Sequence, residues 1–317
     1  MIDHPCPVVS VKLEPCPNSD QLSIVRIDDY QCVVRTADWK DGDLGVYIPP
    51  DSIVPDTEQF RFLGDSRRIK VKKMRGSISM GLLIPAPNGA VLGEDCAERL
   101  GVVHYNPEMH SSFSTGGENI SPPKIYAPKY DVENFRRYSN YFVDGEEVVA
   151  TEKIHGASCR YVCHKDVIHC GSHTSWKRED PKNLWWKALS NYDVLQSWLR
   201  HNQDFVVYAE VFGQVQNLKY GARPGEIFLA VFDIMHNNRW LDYDEARKLG
   251  QPLPWVPLVY RGPFDKGKMF DLAEGSSLIP GADHYREGIV IKPVVERTGH
   301  IGRIQLKLVS NTYLEKS

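Results

Sequence analysis

The shortness of its apolar runs limits most what this chain can fold into. VVSVKL, LSIVRI, YQCVVR, GVYIPP, RRIKVKKM and GLLIPA follow one another through the first hundred or so residues, each closed by a turn. Runs of this kind predict short antiparallel strands curled into a barrel. Further on, EVVATEKI, CRYVCH, VIHCGS, DFVVYAEVFG, EIFLAVFDIM, EGIVIKP and RIQLKLV predict more strands, with few helices between them. One stretch, Asn183 to His201, keeps a rough 3.6-residue spacing through Leu184, Trp185, Leu189, Leu195, Trp198 and Leu199, and predicts a single helix. No GxGxxG or P-loop is present, so any nucleotide chemistry must be of another type. Between the two strand-rich parts, SSFSTGGENISPP at 111–123 holds little that could pack and reads as a linker. Single cores stop growing at about 250–300 residues, and the chain has 317. The expected fold class is therefore α+β in two domains, a β-barrel over residues 1–115 and an antiparallel-sheet domain over 116–317.

Composition removes several function classes. With 38 basic and 41 acidic residues the net charge is −3, which argues against coating nucleic acid by bulk electrostatics and leaves any such contact to a local patch. No run approaches the roughly 20 apolar residues of a membrane span. The start, MIDHPCPVVSVKLEPCP, lacks the basic-then-apolar order of a secretory signal, so a cytoplasmic, reducing location is expected. The seven cysteines include no CxxC pair, which points away from both a disulfide framework and a zinc cage.

The chemistry is carried by a series of short segments. Thr151-Glu152-Lys153-Ile154-His155-Gly156 puts a lysine at the end of a predicted strand and a glycine three residues on, where a tight turn can pass close to a ligand. Lysine becomes a covalent nucleophile when neighbouring cations or burial lower its pKa. Alone, such a tetrapeptide carries little weight, because KxxG occurs by chance in many chains. It is followed in order by Tyr208-Ala209-Glu210-Val211-Phe212-Gly213, by Val231-Phe232-Asp233-Ile234, by Glu287-Gly288-Ile289-Val290-Ile291-Lys292, and by Gln305-Leu306-Lys307.

In this order and spacing the segments resemble the signature set of the covalent nucleotidyltransferases: ATP-dependent DNA and RNA ligases and mRNA capping enzymes. The resemblance covers about residues 124–317, and TEKIHGAS is most similar to the RNA ligase 2 group. It implies an antiparallel-sheet nucleotidyltransferase (ATP-grasp-like ligase) domain and an ATP-dependent RNA ligase that seals 3′-hydroxyl and 5′-phosphate ends through a lysyl-AMP intermediate. Lys153 would be the nucleophile. Glu152, Ile154, Ser158, Ser172, His173, Glu210, Phe232, Glu287, Lys292 and Lys307 would line the nucleotide, with Phe232 stacking on adenine and Lys292 and Lys307 facing the α-phosphate. Glu287, Glu210 and His155 would serve a Mg²⁺ or Mn²⁺ ion, directly or through its waters.

Two positions depart from the pattern that the resemblance implies: Ser172-His173 stands where a Ser-Arg pair is common, so that His173 replaces arginine, and Gln305 stands where lysine is common. On strand alternation Gln305 and Lys307 share a side, and Arg303 or Lys292 are candidates to supply the charge that Gln305 lacks.

The chain ends ten residues beyond Lys307, and the extra domain is therefore expected in front instead of behind. That arrangement resembles RNA ligases with an N-terminal OB module, and Pro17-Asn18-Ser19-Asp20-Gln21-Leu22 resembles a turn of tRNA-binding OB modules. Residues 1–115 are accordingly expected to form an OB-like β-barrel. Arg68, Lys70, Lys72, Lys73 and Arg75 lie in its strongest basic cluster and are candidates for phosphate or RNA contact. Nicked duplex RNA or RNA ends, and RNA/DNA hybrids, are the expected substrates of a monomer. The rival readings are a capping-type guanylyltransferase, which shares the lysine chemistry, and a catalytically silent OB-fold RNA-binding protein.

Overall fold

The computed structural model describes residues 4–105 and 118–316. These fall into two compact units, one built from Met1–Ser112 with Leu314–Ser317 and the other from Phe113–Tyr313. The expected boundary at 115/116, and most of the 111–123 segment, lies outside the described residues. No described helix is long and apolar enough to cross a membrane.

In the first unit the short runs form short strands as expected. Val8–Ser10, Leu44–Ile48 and Leu82–Pro85 pair in one antiparallel sheet, and Glu14–Cys16, Ser19–Ile27 and Tyr30–Arg35 pair in another. Among the described residues these pairings do not close into a continuous barrel. The basic run is strand only over Lys72–Met74, which turns back on Ser77–Ser79. Ahead of it Arg68 makes a single bridge with Ile53, and the side chains of Arg67 and Arg68 pair with Asp56 and Asp51. Burial still alternates: Ile69 is 5% exposed while Lys70 and Lys72 face solvent.

The second unit is built on two sheets. The larger has seven strands in the order Asn119–Ile120, Trp176–Lys177, Val167–Ser172, Ala157–His164, Val206–Gly213, Ile227–His236, Arg239–Trp240. The smaller has five, in the order Glu133–Asn134, Leu306–Val309, Gly288–Pro293, Glu147–Lys153, Leu258–Pro263, and only its first pair is parallel. Each sheet buries one face under helices. Trp185, Leu189, Leu195 and Leu199 pack with Val207, Ala209 and Val231 on the larger sheet, and Phe135 and Met269 pack with Ala150, Ile289, Ile291, Leu306 and Leu308 on the smaller. The opposite faces carry the polar side chains described below.

The single helix expected over Asn183 to His201 is two helices, Leu184–Ser190 and Asp193–His201. On an unbroken helix Leu195 would stand about 240° round from Leu189. The turn at Asn191 and Tyr192 returns both residues to one core. Asn183 caps the first helix, its side-chain oxygen accepting from the backbone N–H of Trp185 and Trp186.

Two glycines are fixed by close backbone approach. A methyl group at Gly156 would lie 2.2 Å from the Val211 carbonyl oxygen, and one at Gly288 would lie 2.1 Å from that of Leu308. Neither backbone can retreat without leaving its sheet. Gly288→Ala is therefore expected to cost about 1–3 kcal/mol or more. Gly267→Ala, whose new methyl meets only Asp265 Oδ1 at 3.5 Å inside the helix Lys266–Ala273, should be neutral or stabilise by up to about 1 kcal/mol. Denaturant unfolding of the two variants checks the contrast in sign.

Candidate active site

Lys153 is the last residue of its strand, paired with Gly288 across the ladder. The same register puts Thr151 opposite Val290 and Val149 opposite Lys292, and the next ladder puts Val290 opposite Lys307. Cross-strand partners share a sheet face, so Lys153, Lys292 and Lys307 stand on one side of the smaller sheet. Ile289, Ile291, Leu306 and Leu308 take the other side, in the core.

After Lys153 the chain turns sharply and enters the larger sheet. Ile154 is 5% exposed among Phe212 and Tyr220, and the Tyr220 hydroxyl accepts the backbone N–H of His155 at 2.6 Å. With Gly156 pressed against the Val211 carbonyl, the turn is pinned on both sides.

Lys153 Nζ donates to Glu287 Oε1 at 2.6 Å. The other carboxylate oxygen, Oε2, is buried, lies 3.6 Å from His155 Nδ1 and has no hydrogen-bond partner among the described residues. The Tyr313 hydroxyl sits 3.2 Å from the same His155 nitrogen. Burial pushes the Glu287 carboxyl up, but the charge of Lys153, with His155 beside it, outweighs burial and brings it down to about 2. Glu287 is thus an ionised, buried carboxylate with one oxygen free to take a further positive charge, which fits a hard divalent cation.

Glu210 lies in the larger sheet, opposite Ser158 on one side and Ala230 on the other. The expected trio of Glu287, Glu210 and His155 does not assemble a cage, because among the described residues no three His, Cys, Asp or Glu side chains gather closely enough to hold a metal ion.

The Phe232 strand carries a β-bulge. Tyr208 pairs with Asp233 but Ala209 pairs with Val231, so Phe232 is the extra residue. A bulge re-aims side chains, and here Val231 and Ile234 both enter the outer core. Phe232 and Asp233 are left facing the smaller sheet. Phe232 lies 4.6 Å from the Tyr130 ring, partly exposed.

Asp233 is fully buried and anchors a charge cluster that sequence reasoning missed. Lys292 Nζ donates to both its oxygens at 3.1 Å and to Glu296 Oε1 at 3.3 Å. Arg303 donates from Nη2 to Asp233 Oδ2 at 2.5 Å and from Nε to Glu296 Oε2 at 2.6 Å. Burial pushes Asp233 up, but Arg303 and Lys292 hold it below the usual carboxylate range. A strict two-residue period buries Asp233 in the wrong face, and nothing local marks Glu296 as its companion. The one signal available is the acid immediately after Phe232.

Other expected residues are placed elsewhere. Glu152 points away from Lys153, its oxygens accepting from Ser277 Oγ and the Leu278 N–H at 2.6 Å each. Ser172 pairs with Cys159, a core residue, not with the Ser158 and Glu210 side; its hydroxyl organises the turn to Ser175. His173 Nε2 meets Asp131 Oδ1 at 3.0 Å, and Gln305 Nε2 donates to the Asp131 carbonyl at 3.1 Å while Tyr130 donates to Gln305 Oε1 at 2.6 Å. The two departures from the expected pattern therefore meet at one dipeptide. In the first unit, Arg68 is held by Asp51 and by the Tyr105 ring at 3.8 Å, and Lys73 pairs with Glu315, while Lys70, Lys72 and Arg75 are exposed.

Residues 146–309 match the family model described as RNA ligase, and residues 8–86 match one described as an OB-fold domain. No curated protein matches the chain by sequence. Among solved structures, a lysine-to-alanine variant of the Naegleria gruberi RNA ligase with ATP and Mn aligns at a TM-score of 0.84 and 22% identity, covering 99% of both chains. The same ligase with pyrophosphate aligns at 0.83 and 21%, again over 99% of both. A further variant, without ligand, aligns at 0.83 and 23%, over 99% of this chain and 98% of that one.

Because the Glu287 carboxyl is depressed, its contribution to stability is fully present above its unfolded pKa of about 4.3 and is lost as pH falls through about 2. Carboxyl-resolved NMR titration should find its midpoint near 2. In Lys153→Ala the midpoint should climb toward or above the ordinary glutamate value, since burial then acts with less opposition.

Proposed function

The chain belongs to the RNA ligase family, and from that membership we propose an ATP-dependent RNA ligase that works through Lys153. The carrying observation is Lys153 Nζ at 2.6 Å from a buried, ionised Glu287, at the edge of a sheet face that also bears Lys292 and Lys307. The Naegleria gruberi relatives are described with ATP, AMP and Mn, which supports the same nucleotide and metal here.

In the first step Lys153 Nζ attacks the α-phosphorus of ATP. A phosphorus–nitrogen bond forms, the bond to the bridging oxygen breaks and pyrophosphate leaves, and the two protons that the ammonium sheds in becoming a phosphoramidate N–H pass to solvent. Glu287 accepts from Lys153 Nζ at 2.6 Å, so its part is to orient Lys153 and hold negative charge beside it. The AMP then passes to the 5′-phosphate of an RNA strand, and the 3′-hydroxyl of the neighbouring strand displaces it to form the phosphodiester. Phosphoryl transfer of this kind rests on positioning and charge neutralisation.

Phe232, partly exposed beside the Tyr130 ring, is the stacking surface for adenine. Lys292 and Lys307 face the α-phosphate. Glu287 Oε2 would hold Mg²⁺ or Mn²⁺, with Glu210 and His155 reaching the ion through its waters. Bound there, a divalent cation supplies positive charge against the phosphates. Magnesium keeps several waters and takes only one or two carboxylates, so a pre-built protein cage is not required.

Residues 1–115 act as the OB-like domain and 116–317 as the catalytic domain, and Lys70, Lys72 and Arg75 are its candidates for RNA phosphate. A monomer acting in the cytoplasm on nicked duplex RNA, with RNA/DNA hybrids accepted, completes the reading.

Incubation with α-labelled ATP and Mg²⁺ or Mn²⁺, followed by denaturing electrophoresis, should give a labelled band that is acid-labile and alkali-stable. Lys153→Ala should abolish it, and Glu287→Gln, which keeps shape and loses charge, should be nearly as poor. Labelling from GTP in preference to ATP would overturn the reading in favour of a guanylyltransferase.

A further inference from the structure

Ile304, Leu306 and Leu308 are all buried in the outer core of the smaller sheet, which leaves Arg303, Gln305 and Lys307 on the Lys153 side. Gln305 brings no charge to that side. Both ends of its amide are engaged, the oxygen by Tyr130 and the nitrogen by the Asp131 carbonyl. Arg303 does bring a charge. Its guanidinium carbon lies 4.2 Å from the Trp240 ring centre, and its nitrogens meet Asp233 and Glu296, the same two carboxylates that hold Lys292.

The balance of this cluster depends on Arg303. With it, two cations face two carboxylates and the cluster is neutral. Without it, Lys292 alone would face both carboxylates, and a net negative charge would stand where the nucleotide phosphates have to approach. Lys292 is 6% exposed, so water does little to screen the difference. The guanidinium also keeps Nη1 buried with no hydrogen-bond partner among the described residues, so the carboxylates do not exhaust its donors.

We infer that Arg303 is a positioning residue for the phosphate-facing lysine: by neutralising Asp233 and Glu296 it leaves the charge of Lys292 available to ATP, from position 303 rather than 305. This rests on the adenylylation chemistry proposed above. It also assigns Glu296 a definite sign, as the acid that tempers Lys292.

The test is single-turnover adenylylation of the full chain with α-labelled ATP over a range of ATP concentrations, with thermal unfolding of each variant recorded alongside. Arg303→Gln should raise the ATP concentration for half-maximal rate by about tenfold or more, and Arg303→Lys should stay within about threefold of wild type. Glu296→Gln should move it the other way, lowering it by about two- to fivefold, because one carboxylate is removed from around Lys292. A network that only holds the fold together would weaken ATP use in both glutamine variants. Movement of both in the same direction, or no movement in a folded Arg303→Gln, overturns the inference while leaving the ligase reading intact. If Arg303→Gln does not fold, the direction of Glu296→Gln still decides. A wild-type chain that forms no adduct at all overturns the ligase reading, and the inference with it.

Discussion

Charge withdrawn from water must be matched inside the protein, and the second unit depends on meeting that demand between its two sheets. Asp233 comes from the larger sheet, Lys292 from the smaller, Arg303 from the short hairpin strand Gly302–Arg303 that pairs with Thr298–Gly299, and Glu296 from the segment between Lys292 and Arg303. Each is nine-tenths or more buried at its side chain. Removal of one member of such a set leaves a buried charge uncompensated, which commonly costs about 3–5 kcal/mol. The cluster therefore does more than neutralise. It ties the two sheets together, since Asp233 stands on one and Lys292 on the other.

Lys153 and Glu287 show the same rule at smaller scale, with a different outcome. Their pairing is one oxygen short of completion, since Glu287 Oε2 is buried and unbonded among the described residues. An incomplete pair is unfavourable in a purely structural role. Here the unbonded oxygen leaves room for a second cation without dismantling the contact with Lys153.

Much of this was legible in the sequence because strands report themselves through short apolar runs, with Lys153 and Glu287 at or beside strand ends and Glu210 alternating with buried Ala209 and Val211 inside its own. What was not legible has physical reasons. The helical pattern at 183–201 hides a turn, because both halves return to one core. Ser172 looked suited to the nucleotide, yet its register sends it to the core side. Asp233 was passed over because a bulge breaks the two-residue period at Phe232, a local irregularity that alternation does not reveal. Glu296 and Arg303 become meaningful only when long-range folding sets them beside Asp233.

The Tyr130-Asp131 dipeptide has an evolutionary side. His173 leans on the Asp131 carboxylate, and Gln305 leans on the Asp131 carbonyl and the Tyr130 hydroxyl, so two residues far apart along the chain share one anchor. Neither can be exchanged without altering what the other rests on. Substitutions at 173, 305 and 130–131 should therefore be epistatic, each changing how well a second change at another of these positions is tolerated.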